Sequence, residues 1–120
     1  MDKEKFKISI VNSDISLLQI KNGLTFGTDA LLLSAYIKGF HENGLELGTG
    51  TGIISLLLLK KDKVKNITAL EVQPDFSELA TLNAVNNGLS DRMQTLLCDI
   101  RDFNGGCFSA NPFLIRQFLA

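Results

Sequence analysis

The 120-residue sequence is poor in cysteine and histidine, two residue types that are common in metal sites and in nucleophilic catalytic sites. It contains two cysteines, one histidine and no tryptophan. Cys98 and Cys107 do not form a CxxC pair or a Cys/His spacing, so a structural metal site has no support. Cys98 follows an apolar run and is predicted to be a buried thiol in a reducing compartment. The only histidine, His41, lies in a polar stretch and is predicted to be a surface residue, and no Ser/His/Asp arrangement is indicated.

Long hydrophobic runs and a strong charge of one sign are also absent. The longest apolar run, residues 53–59, is interrupted by Ser55 and is too short to span a bilayer. The charged N-terminus predicts no signal peptide, and we expect a cytoplasmic protein without a membrane partner. The net charge of -1 gives no general attraction to phosphates. With 45% hydrophobic residues and eight Phe, the sequence predicts one soluble globular domain.

The N-terminal part predicts a small β-hairpin followed by a helix. Residues 6–11 and 15–20 favour strands, and the polar residues 12–14 form the turn between them. A helix is predicted over residues 30–37, with Thr28 or Asp29 as its N-cap and residues 41–44 at its end. Four apolar residues share one face of this region. They are Leu33, Tyr36, Ile37 and Phe40.

From residue 45 onwards strands and helices alternate. Strands are predicted over residues 45–47, 67–72 and 93–98, and helices over residues 53–60 and 74–86. Pro74 suits the first position of a helix, and Gly88 suits its end. This alternation predicts a parallel sheet with right-handed crossovers. The lysine-rich run over residues 60–65 is predicted to be a solvated helix end, with contact to phosphates as the alternative.

Glycines at every second position follow Glu46, between a predicted strand and a predicted helix. Gly48, Gly50 and Gly52 permit a sharp turn and the close approach of a ligand to the backbone. The spacing does not fit the dinucleotide pattern G-x-G-x-x-G, and no lysine follows to make a phosphate-binding P-loop. A turn without a ligand is the alternative reading.

The spacing E-x-G-x-G-x-G resembles that of class I S-adenosylmethionine-dependent methyltransferases. The resemblance implies that the turn contacts the methionine part of the cofactor. Glu71, at the end of the second strand of the alternating region, would accept from both ribose hydroxyls, and Asp99 from the adenine amine. The cofactor-binding residues implied by the resemblance are Glu46, Gly48, Thr49, Gly50, Gly52, Glu71, Val72, Asp99 and Ile100. A solvated carboxylate at Glu71 and a turn cap at Asp99 are the alternatives.

Three further stretches resemble the valine-tRNA adenine-N6 methyltransferase branch. They are residues 26–33, 71–74 and 83–89. The resemblance implies a tRNA substrate and methyl transfer to the N6 amine of adenine. Phe26 as a core residue and Thr28 or Asp29 as a cap remain alternatives to a role beside the cofactor. The same chemistry also serves protein glutamine and other nucleic-acid amines, and a non-catalytic cofactor-binding fragment is a further alternative.

The catalytic motif of this branch is incomplete. The family carries Asn-Pro-Pro-Tyr/Phe after a fourth, apolar strand, whereas this sequence has Asn111-Pro112-Phe113 after a glycine-containing stretch that is a poor strand. Asn111 and Pro112 are either a remnant of the catalytic motif or a chance turn dipeptide.

The expected fold is an α/β, Rossmann-like methyltransferase sheet with flanking helices, incomplete at the C-terminus. We expect a hairpin extension over residues 1–23, the cofactor-binding core over 24–103 and an aberrant tail over 104–120. The missing fourth strand would leave a central strand as an exposed edge. The sequence therefore predicts a truncated enzyme, and a frameshift near Gly105 is our hypothesis for the cause.

Overall fold

The structure is a computed structural model that describes residues 6–21, 28–99, 101 and 113–116. These residues form six strands and three helices. In chain order they are β1 (Phe6–Ile10), β2 (Ser16–Ile20), α1 (Thr28–Tyr36), β3 (His41–Leu47), α2 (Ile53–Lys60), β4 (Val64–Glu71), α3 (Pro74–Asn86), β5 (Met93–Leu97) and β6 (Phe113–Arg116). Within the described ranges, no helix has the length and apolar character needed to cross a membrane.

Four strands form a parallel sheet in the order β5-β4-β3-β6. The register pairs Leu47 with Leu70 and Glu71 with Leu97. The carboxyl ends of β3, β4 and β5 therefore meet at one edge of the sheet, where the turns into the following elements lie. The predicted parallel α/β sheet with flanking helices is confirmed.

Helix α2 forms the centre of the core. Its residues from Ile53 to Leu59 are all buried, which explains why the run is apolar on every side rather than along one stripe. Lys60 is the first exposed residue, at the C-terminus, where a positive charge is favourable for the helix dipole.

The predicted hairpin is present and packs against the main core. The side-chain oxygen Oδ1 of Asn12 accepts from the backbone N–H groups of Asp14 and Ile15, at 2.8 and 3.0 Å, and so closes the turn. Ile15 and Leu17 are 2% and 0% exposed and belong to the same hydrophobic cluster as α2. The division of the chain at residues 23 and 103 stays a prediction.

Strand β3 begins four residues earlier than predicted. His41 was expected in a surface turn at the end of a helix, but it opens β3, is half-buried and pairs with Val64. The backbone N–H of His41 donates to the Lys63 carbonyl at 2.8 Å. The start of the strand was not predicted because its first residues are polar. They lie at the amino end of β3, where burial is least.

The apolar face predicted at α1 is mostly exposed, and of its four residues only Ile37 packs against the core. Tyr36 and Phe40 are 82% and 64% exposed, whereas Ala30 and Ser34 are buried. The buried face is therefore made of small residues at i and i+4, which permit close approach to α2.

The lysine run over residues 60–65 was predicted to be a solvated helix end, and this is wrong for Lys63, whereas Lys60, Lys61 and Lys65 are exposed. Lys63 Nζ donates to the carbonyls of Ser34, Ala35 and Ile37 at 2.8, 3.1 and 2.6 Å. These are carbonyls at the end of α1, which lack partners inside the helix. Lys63 therefore acts as a C-terminal cap from a distant part of the chain.

The sequence predicted a central strand with an exposed edge, and this prediction is wrong for β3. Strand β6 lies beside β3 in parallel, with Gly44 paired to Phe113 and Leu47 to Arg116. The fourth strand thus follows Asn111 and Pro112 in the chain, whereas in the family pattern the motif follows the strand. A strand of four residues with an apolar start gives little periodicity by which to predict it.

Candidate functional site

The glycine turn joins β3 to α2 at the carboxyl edge of the sheet. The N–H groups of Gly48 and Thr49 both donate to the Leu70 carbonyl, at 2.9 and 3.0 Å. Gly50 and Gly52 have φ values of +59° and +88°, a region that disfavours other residues. An added Cβ on Gly50 would meet nothing within 4 Å, whereas one on Gly52 would lie 3.1 Å from Met93 Cε. Gly50 therefore faces open space, and Gly52 permits close packing beneath the turn.

Glu46 lies below the turn and not in the crevice. It is fully buried, and its Oε1 accepts from the hydroxyls of Thr49 and Ser55, each at 2.6 Å. Burial raises the pKa of Glu46 to about 7, against the opposing effect of these hydrogen bonds and with a smaller contribution from Glu71. Glu46 thus ties the end of β3 to the turn and to the first turn of α2. Thr49 is equally buried, so both residues hold the turn from within in this conformation.

Glu71 ends β4 and is oriented by the neighbouring backbone. Its Oε1 accepts from the N–H of Gly50 and its Oε2 from the N–H of Gln73, both at 2.9 Å. Only 4% of the residue is exposed. The carboxylate is therefore fixed beside the glycine turn, and each oxygen keeps a lone pair for a further donor.

A crevice of about 480 Å³ opens at the same edge of the sheet. Its lining comprises Leu47, Gly48, Leu70, Val72, Cys98, Asp99 and Arg101. Mostly apolar walls with a few polar groups are typical of a small-molecule site. Three predicted residues, Gly48, Val72 and Asp99, lie together in this crevice. Cys98 was predicted to be buried, but it is half-buried and lines the crevice because β5 ends at Leu97.

Asp99 is engaged by a residue that the sequence analysis did not single out. The backbone N–H and the guanidinium of Arg101 donate to both carboxylate oxygens, with the shortest distance, 2.6 Å, from Nη2 to Oδ2. These hydrogen bonds lower the pKa of Asp99 to about 2. The signal for this pair was the i, i+2 spacing of opposite charges after a strand. Ile100, Asn111 and Pro112 lie outside the described residues.

Asn83 is a second residue near the site whose role was not predicted. It is buried on α3 and donates from Nδ2 to the Thr51 carbonyl in the glycine turn at 2.9 Å. The sequence signal was a pair of asparagines, Asn83 and Asn87, four residues apart on one face of a helix.

Solved structures share the fold of this chain. The chain aligns with P. horikoshii TYW2 in complex with MeSAdo at a TM-score of 0.73 and 20% identity, covering 88% of this chain and 40% of that one. It aligns with M. jannaschii TYW2 in complex with AdoMet at a TM-score of 0.70 and 21% identity, covering 86% and 48%. The fold is that of the Rossmann-like methyltransferases.

Two curated relatives with higher sequence identity carry the same name. The chain is 37% identical over 86 residues to the tRNA1(Val) (adenine(37)-N6)-methyltransferase of Flavobacteriaceae bacterium (strain 3519-10), covering 71% of this chain and 37% of the relative. It is 35% identical to the protein of the same name from Actinobacillus pleuropneumoniae serotype 5b (strain L20), covering 70% and 36%. The chain is thus a relative of the tRNA1(Val) (adenine(37)-N6)-methyltransferases, and it spans little more than a third of their length. A scan against models of known protein families gives no match.

Proposed function

We propose that this chain binds S-adenosylmethionine at the carboxyl edge of its parallel sheet. The observation that carries the proposal is the pairing of Glu71 with Gly50. The carboxylate of Glu71 is held by the Gly50 N–H at 2.9 Å, and the α-carbon of Gly50 faces open space. An oriented double acceptor beside side-chain-free backbone fits a vicinal diol next to an amino-acid moiety.

Glu71, beside the crevice, and two residues of its lining have separate roles in this proposal. Glu71 accepts from the two ribose hydroxyls, and Val72 offers an apolar surface, 60% exposed, to the adenine ring. Asp99 accepts from the adenine amine. When bound, the cofactor supplies an electrophilic methyl group, and the protein contributes mainly by positioning.

For the acceptor, we propose the N6 amine of adenine in tRNA. This proposal draws on the names of the curated relatives, at 37% and 35% identity, and it implies a cytoplasmic protein. Asn111 and Pro112 would orient the target amine, as in the family motif, and this role stays a prediction.

One observation favours a second candidate, a cofactor-binding chain without catalysis. Strand β6 begins at Phe113, directly after Asn111-Pro112, whereas the family motif follows its strand. In this chain the motif therefore precedes the strand that pairs with β3. Whether the 120-residue chain methylates a substrate distinguishes the two candidate functions.

Calorimetric titration with S-adenosylhomocysteine tests the cofactor site. We expect the 120-residue chain to bind, and Glu71→Gln to weaken binding by at least about tenfold, because a hydrogen bond to a charged group contributes about 1.5–3 kcal/mol. Glu78→Gln is the matched control, since Glu78 is exposed on α3. No binding by the parent chain, or an equal effect of both variants, would refute the proposed site.

Transfer of a labelled methyl group to a tRNA pool tests the acceptor. We expect N6-methyladenine in the digested tRNA, detected by mass spectrometry, and loss of most of this product in Asn111→Ala. Binding of S-adenosylhomocysteine without any methylated product would select the non-catalytic candidate.

A further inference from the structure

Asn83 of α3 and Asn87, the residue that follows this helix, dock the N-terminal hairpin as a strand would. Asn83 accepts from the Leu18 N–H at 2.7 Å and donates to the Leu18 carbonyl at 3.0 Å. Asn87 accepts from the Ser16 N–H at 3.1 Å and donates to the Ser16 carbonyl at 2.8 Å. Leu18 and Ser16 are alternate residues of β2, and their backbone groups face away from β1. The two side chains thus pair with successive open positions along one edge of β2.

The second bond donated by each amide goes to a different place. Asn83 Nδ2 also donates to the Thr51 carbonyl at 2.9 Å, in the glycine turn. Asn87 Nδ2 also donates to the Asn83 carbonyl at 2.7 Å, within α3. The two residues are therefore equivalent toward the hairpin, but only Asn83 reaches the turn.

The Thr51 carbonyl lies where the turn needs support. Gly52, the next residue, precedes α2 in a left-handed conformation and provides no side-chain cap. The Gly52 N–H donates back to the Thr49 carbonyl at 2.9 Å. The bond from Asn83 fixes the orientation of the peptide between Thr51 and Gly52, and this peptide lies one residue beyond Gly50, which Glu71 holds.

We propose that Asn83 is a positioning residue that couples the N-terminal hairpin to the cofactor-binding turn. The inference rests on the proposed cofactor site. Asn83 is 0% exposed and is held on one side by β2 and on the other by Thr51. Ordering of the turn by a ligand would therefore stabilise the contact with β2, and docking of β2 would favour binding, because coupling between two sites is reciprocal.

The test compares Asn83→Asp with Asn87→Asp. Each change keeps the acceptor for a β2 N–H and removes two donated bonds, so the two variants lose comparable support for the hairpin. We expect both to unfold at lower denaturant concentration. Asn83→Asp should raise the dissociation constant for S-adenosylhomocysteine about two- to tenfold more than Asn87→Asp does, the range that one net hydrogen bond supports, because Asn83 also loses its bond to the Thr51 carbonyl. Equal affinities in the two variants would overturn the proposal.

A measurement on the unmodified chain covers the case in which Asn83→Asp does not fold. Amide hydrogen exchange is followed with and without S-adenosylhomocysteine. We expect the ligand to slow exchange at the Leu18 N–H, which Asn83 holds, more than at the Ser16 N–H, which Asn87 holds. Equal slowing at both amides, or none at Leu18, would overturn the coupling. A parent chain that binds no S-adenosylhomocysteine would instead refute the proposed cofactor site, and calorimetry shows this first.

Discussion

Glu46 illustrates how one buried carboxyl makes stability depend on pH. Its pKa is raised from 4.5 to about 7, chiefly by burial. The folded state thus holds a proton that the unfolded chain has already released, so the stability contribution is full below about pH 4.5 and is lost as the pH rises to about 7. Asp99 has the opposite shift, to about 2, so its contribution is lost only as the pH falls below about 4.

We predict that Glu46→Gln removes the loss of stability between pH 4.5 and 7. The amide keeps an acceptor for the Thr49 and Ser55 hydroxyls and carries no charge to bury. At pH 8 the variant should exceed the parent in free energy of unfolding by up to roughly 3 kcal/mol, and at pH 4.5 the two should be alike. Denaturant titrations at a series of pH values measure this. Glu42→Gln, an exposed change in the same strand, should leave the pH profile of the parent intact, and an unchanged profile in Glu46→Gln would refute the assignment.

Asp99 and Arg101 lead to a prediction about affinity. The guanidinium occupies both oxygens of the carboxylate that would accept from the adenine amine. Because an exposed ion pair of this kind is weak, Arg101→Gln should strengthen binding of S-adenosylhomocysteine only about two- to fivefold. The salt dependence of affinity should decrease in the variant, because salt screens the competing pair.

Lys65→Gln provides the matched loss of charge, since Lys65 is exposed in the first half of β4. It should leave the affinity unchanged in calorimetry. Weaker binding in Arg101→Gln would mean that Arg101 contacts the ligand, and the competition would be excluded.

At the scale of elements, Gly50 and Gly52 have different roles in the turn before α2. Gly52→Ala should lower the free energy of unfolding by about 1–3 kcal/mol, because the residue has a positive φ and its new methyl group would lie 3.1 Å from Met93 Cε. Gly50→Ala meets no neighbour and should cost about 1–2 kcal/mol through backbone strain alone. We expect Gly50→Ala to lose more affinity for S-adenosylhomocysteine than its effect on stability explains. If both variants change affinity only in proportion to stability, open space at Gly50 is not a ligand contact.

The same elements show what the sequence could predict. Helix α3 and its limits follow from Pro74 at the first position and Gly88 beyond the end, and both are local signals. Helix α2 follows from its apolar run. The start of β3 at His41 could not be predicted, because pairing with Val64 is a tertiary contact. Lys63 was misjudged for the same reason, since its partners lie at the end of α1.

Within the site, the type of each residue was easier to predict than the direction in which its side chain points. An acidic residue before a glycine turn looks the same in sequence whether it faces a ligand or the core. Glu46 faces the core, where the hydroxyls of Thr49 and Ser55 donate to its carboxylate, and Glu71 lies beside the turn. Asn83 gave no sign of its partners, because Leu18 is 65 residues away.

At the scale of the whole molecule, the sheet and the hairpin share one core although they do not pair. Strands β1 and β2 form their own two-stranded sheet, and a hairpin alone is marginally stable in water. Leu17, with 0% exposure, joins the cluster around α2, and Asn83 and Asn87 supply the polar contacts. The hairpin thus gains apolar cover from the main core, and it gains from Asn83 and Asn87 the hydrogen bonds that a third strand would give.

The two asparagines also have a consequence for solubility. An open strand edge offers its amides and carbonyls to any extended chain nearby, and this is how soluble proteins begin to aggregate. On the side of β2 that faces α3, side-chain amides already fill the positions at Ser16 and Leu18. The side chains of Asn83 and Asn87 thereby prevent another strand from pairing with that edge. This protection is lost if either residue is replaced by one that cannot form hydrogen bonds with the backbone.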